Sequence, residues 1–132
     1  MAIFDRLHIR WLALVLSGLT FLVIAVLALF FPHTVASAYA YTLGSVDSYT
    51  EFRAIFIGFW IGLAALLFTA AKRLDNVALG DLGATMILCQ ALGRLLSFVL
   101  DGLPSTRFLI AFALEMTLSL AALLARPRLR ST

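Results

Sequence analysis

The sequence predicts an all-α, antiparallel bundle of four transmembrane helices with both termini in the cytoplasm. Three observations predict it: an apolar composition, four apolar runs of bilayer length, and a lopsided placement of Lys and Arg. Hydrophobic residues make up 63% of the 132 residues, charged residues only 13%, and the mean hydropathy is +1.05. A water-soluble surface cannot be built from so few charges, so much of the surface must face lipid. The length suits a single integral membrane domain over 1–132.

The four runs place spans at about 11–31, 52–71, 80–100 and 107–125. Each is near the ~20 residues that a helix needs to cross the hydrocarbon layer. Only helices and closed barrels satisfy their backbone in lipid. Barrel strands would alternate polar and apolar residues, whereas these runs are apolar on every side, so helices are expected.

Orientation follows from basic residues. Arg6 and Arg10 precede the first span, Lys72 and Arg73 separate the second from the third, and Arg126, Arg128 and Arg130 follow the fourth. The opposite side carries only Arg53 and Arg107, next to span ends. The first group faces the cytoplasm of a bacterial cell, making this a multi-pass inner-membrane protein. The net charge of +3 does not point to nucleic acid, because these residues form no basic patch. Membrane lipids are the expected partners, together with further copies of the chain or subunits of a membrane complex.

The first connection, 32–50, is the only long one. Its start, 33–43, is rich in Ala, Tyr and Val and predicts a short helix at the outer interface. Trp11 reads as an interfacial anchor beside Arg10, and Trp60 as packing within a span. Residues 3–9 read as a short amphipathic lead-in. An alternative reading of the N-terminus is a signal peptide cut near Ala36-Ser37-Ala38, but the apolar run exceeds the usual h-region. Cys89 stands alone in an apolar run, so it reads as a packing residue and no intrachain disulfide is possible.

The second span opens on Ser48-Tyr49-Thr50-Glu51, which reads as a capping box. Glu51 shares a helical face with Ile55, Gly58, Gly62 and Ala65, and Gly58 and Gly62 would let another helix approach closely. Glu51 is therefore expected to turn toward the bundle interior. Arg53, on a different face, suits a phosphate headgroup, an acid, or snorkelling to the interface.

The third span carries Gln90, Arg94, Ser97 and Asp101 on one helical stripe, next to Gly93. Arg94 lies roughly 9 Å below the outer end of its span, using the helical rise. An arginine at such depth costs on the order of 2–3 kcal/mol and needs a partner. Glu115, on the antiparallel neighbour, falls at similar depth. Glu51, Arg53, Arg94, Ser97, Asp101 and Glu115 are thus the candidate site: either a ligand-binding cluster or a buried ion-pair network that sets helix register. Asp101 sits unfavourably for the helix dipole and is expected to seek Arg94, Arg107 or Arg53. Gly102 and Pro104 end the third helix. His8 and His33 fall at opposite faces, so no metal site, cofactor or nucleophile motif is expected.

Two segments carry a resemblance. Glu51-Phe52-Arg53-Ala54 with Gly58 and Gly62 is similar to an E-x-R-A…G pattern, although Phe59 stands where a second glycine would follow Gly58. Gly93-Arg94-Leu95-Leu96-Ser97 with Asp101-Gly102-Leu103-Pro104 resembles a G-R-x-x-S-x-x-x-D-G-x-P pattern. Together they resemble an uncharacterised bacterial family of four-span membrane proteins, a domain of unknown function, and the architecture resembles that of DoxX-like proteins. The resemblance implies that Glu51, Arg53, Arg94, Ser97 and Asp101 matter; it implies no activity. The expected function is binding or transport of a lipid or amphipathic small molecule through the charged cluster. The alternatives are an accessory subunit of a membrane complex and, third, an intramembrane isomerase using Glu115 or Glu51.

Overall fold

The computed structural model describes residues 3–127, and all regular structure among them is helical. The elements are α1 (Ile3–Phe30), α2 (Pro32–Ala38), α3 (Val46–Arg53), a π-helical turn (Ala54–Phe59), α4 (Trp60–Lys72), α5 (Val77–Asp101) and α6 (Thr106–Leu124). Four stretches are long and apolar enough to cross a membrane: Asp5–Phe30, Val46–Lys72, Val77–Asp101 and Thr106–Leu124. They match the four expected spans; the second and third extend past the expected bounds at both ends, the first only at its N-terminal end, and the fourth is offset by one residue. The lead-in is not a separate element, because α1 runs unbroken through it. The tail arginines Arg128 and Arg130 lie outside the described residues.

The chain divides into two compact units: the described parts of Met1–Ser17 and Leu67–Thr132, and Gly18–Leu66. The second unit is built on aromatic rings. Phe52 stacks on Phe56 with centroids 4.7 Å apart, and Phe56 tilts against Trp60 at 4.6 Å. These residues are four apart, a spacing that sets them on one face of the continuous helix. Tyr39, just past α2, closes edge-on against Phe56 and Trp60, and Phe21 of α1 does the same against Trp60. Trp60 is buried, as expected of a packing residue.

Two local expectations change here. The span that α3 begins starts at Val46, three residues before Tyr49, and its cap is Ser45. The Ser45 hydroxyl accepts from the Ser48 amide, while the Ser48 hydroxyl receives the Ser45 amide in return. The box is therefore Ser45 with Ser48, and Glu51 is not part of it. Second, Glu51, Ile55, Gly58, Gly62 and Ala65 are all exposed, and the face that turns inward is Phe52, Phe56, Trp60 and Leu63. Large apolar rings outcompete a carboxylate and two glycines for the interior.

In the first unit α5 packs along α6. Asn76 caps α5 by accepting from the Leu79 amide. Gly102 ends α5 at φ +92°, a conformation that side chains rarely adopt. Cys89 is exposed on α5 rather than packed.

Candidate functional site

Arg94 of α5 and Glu115 of α6 form a two-bond ion pair. Nε of Arg94 donates to Oε2 of Glu115 at 2.8 Å, and Nη2 donates to Oε1 at 3.1 Å. Gln90, one turn earlier on α5, donates from Nε2 to the same Oε1 at 2.8 Å. The fork-on-fork arrangement suits a planar guanidinium and a carboxylate. Both side chains are mostly covered, at 19% and 14% exposure. The Arg94 guanidinium also lies 5.8 Å from the centre of the Phe108 ring. The antiparallel pairing of α5 and α6 produces this meeting: 21 residues of chain separate the pair, yet both fall at matching depth.

Nη1 of Arg94 has no hydrogen-bond partner among the described residues, because the two bonds to Glu115 use Nε and Nη2. One end of the pair is thus closed by Glu115 and Gln90, and the Nη1 end is left open, part way along a helix long and apolar enough to cross a membrane.

The rest of the expected set is arranged differently. Ser97 donates to Oδ2 of Asp101 at 2.9 Å, and both are exposed. Asp101 has no ion pair with a cation among the described residues, so the expected bridge to Arg94, Arg107 or Arg53 is not formed. The Ser97 hydroxyl takes that place. Arg107 instead lies over the Phe108 ring at 5.3 Å. Glu51 and Arg53 belong to the second unit; Glu51 is exposed, and Arg53 lies over the Tyr49 ring at 5.4 Å. A Cβ added at Gly62 or Gly93 would meet nothing within 4 Å, and one at Gly58 only the Arg53 carbonyl at 3.8 Å. Within the described chain, then, no helix packs on these three glycines.

Sequence reasoning missed a second charged centre. Arg10, read only as one of the basic residues that precede the first span, is 1% exposed. Its Nη1 donates to the Ala122 carbonyl at 3.0 Å, and its Nη2 to the Val77 carbonyl at 2.8 Å and to Oδ1 of Asp81 at 2.9 Å. Arg126 approaches Oδ2 of Asp81 at 3.2 Å. Ala122 lies in the last turn of α6, where carbonyls lack intrahelical amides. A buried cation there caps the helix and meets the negative end of its dipole. Arg10 therefore ties α1, the start of α5 and the end of α6 together. The available signal was Asp81, an acid at the edge of an apolar run beside Gly80, which calls for a cation.

No group of three or more His, Cys, Asp or Glu residues placed to hold a metal ion occurs among the described residues. No curated protein and no solved structure matches the chain. A family model does match residues 9–126, reaching into all four spans and covering both charged centres, and the chain belongs to that family: Domain of unknown function (DUF4345).

Proposed function

We propose that this small four-span membrane protein binds or carries an amphipathic molecule, a lipid or similar compound, through the Arg94–Glu115 pair. The observation that carries the reading is the free Nη1 end of Arg94, at membrane depth and beside a carboxylate that is already satisfied. Polar donors in hydrocarbon are costly unless paired, and intramembrane ionisable residues commonly mark ligand paths. An acceptor on the ligand, such as a phosphate, carboxylate or carbonyl oxygen, completes the set. Its chain lies along the exposed apolar surface of α5 and α6, which includes Leu95, Ile110 and Leu114.

The charge bias of the loops supports an inner-membrane location in bacteria with both ends of the chain in the cytoplasm. The test is mass spectrometry of small molecules that co-purify with the protein from its own membrane. The wild type carries a bound amphipath that the Arg94→Gln, Glu115→Gln double variant loses. An unchanged complement of bound molecules overturns the reading.

A second reading, accessory subunit of a membrane complex, is favoured by two observations. α6 is the least covered span, with 11% of its most apolar window buried, and Gly58, Gly62 and Gly93 are open to close approach by another helix. A membrane protein recovered in fixed stoichiometry with this chain, in place of a small molecule, supports that reading instead.

A further inference from the structure

We propose that a groove on α3 binds the phosphate of an anionic phospholipid headgroup, with Arg53 as its cation. This site is independent of the Arg94–Glu115 reading, as it is built from residues of the other compact unit.

Val46, Tyr49, Thr50 and Arg53 line a groove of ≈360 Å³. Their spacing puts them on one face of α3. The walls are already fixed. The Tyr49 hydroxyl shares a 2.8 Å hydrogen bond with Nε2 of His33, and the two rings meet edge-on at 5.8 Å. Thr50 donates its hydroxyl to the Val46 carbonyl at 2.9 Å. Arg53 lies over the Tyr49 ring, 5.4 Å from its centre. This contact orients the guanidinium without consuming its N–H donors.

Arg53 forms no ion pair with a carboxylate among the described residues. The acids on the same helix, Asp47 and Glu51, are exposed and do not bridge to it. A planar five-donor cation left unpaired and stacked on a ring is suited to a phosphate.

Position selects a lipid over a soluble anion. Arg53 is the last residue before the uncharged stretch 54–71, which is the level where headgroups lie. Val46, at 81% exposure, offers an apolar wall beside the cation. A headgroup with a glycerol backbone and acyl chain has both parts that such a groove requires.

The test is native mass spectrometry of the full chain in detergent, titrated with phosphatidylglycerol or phosphatidylcholine. The wild type retains phosphatidylglycerol in preference to phosphatidylcholine. Arg53→Gln lowers phosphatidylglycerol affinity about fivefold, the weight of one basic residue near a membrane surface. Val46→Trp, which fills the groove without touching a charge, lowers it as well. Equal retention of the two lipids by the wild type, or full retention by both groove variants, overturns the proposal. Displacement of the lipid by millimolar inorganic phosphate reassigns the groove to a free anion and overturns the lipid assignment. Loss of phosphatidylglycerol in Arg94→Gln alone moves the anionic lipid to the other site, and so separates the two readings.

Discussion

The guanidinium of Arg10 occupies the space that a Cβ at residue 80 would need: an alanine there would overlap it, with Cζ at 2.8 Å and Nε at 2.9 Å. A guanidinium is ordinarily easy to push aside. This one is held by Ala122, Val77 and Asp81, so displacing it breaks charge-assisted bonds in a buried place. Gly80→Ala should gain about 1 kcal/mol of helix propensity and lose more than that in bonds to a charged group, each worth about 1.5–3 kcal/mol. The expected net effect is destabilisation, read as a lower melting temperature in detergent. In an Arg10→Met background the same substitution should become neutral or stabilising. A loss of equal size in both backgrounds would show that Arg10 is not the cause.

Arg94 and Glu115 should couple. Arg94→Ala leaves the Glu115 carboxyl group partly buried with only Gln90 to satisfy it, and stability in detergent should fall. Adding Glu115→Gln should restore part of the loss, with a coupling energy of about 1–3 kcal/mol. Strictly additive losses in the four-member cycle would count against direct pairing.

The start of α3 offers a cleaner local test. Ser45→Ala removes the acceptor for the Ser48 amide and should cost about 1 kcal/mol. Glu51→Ala, at an exposed position outside the cap, should change stability by less than about 0.5 kcal/mol. Hydrogen exchange at the Ser48 amide should quicken in the first variant and stay unchanged in the second. The reverse order would restore Glu51 as the capping residue.

Cys89 reports on membrane placement. It is exposed on the protein surface near the middle of α5, so in a membrane it meets hydrocarbon. A charged, membrane-impermeant maleimide should fail to label it in intact membranes from either side, and should label it once the protein is unfolded in detergent. Rapid labelling in intact membranes would place that part of α5 in water.

The four spans were legible from the sequence alone. An apolar run of bilayer thickness has few ways to satisfy its backbone, and run length therefore decides the element before any packing is known. The pairing of Arg94 with Glu115 was legible for a similar reason: a cation and an acid deep in successive antiparallel spans have few other partners. Other features depended on which face each helix turns inward, and composition does not decide that. Glu51 and its glycine neighbours look like an interface on a helical wheel, yet the aromatic stack of Phe52, Phe56 and Trp60 takes the interior because it buries more apolar area. Arg10 looks like a flank by its position in the chain. Only the convergence of the α6 terminus, the first turn of α5 and the gap at Gly80 supplies the acceptors and the space that let a charged side chain be buried there.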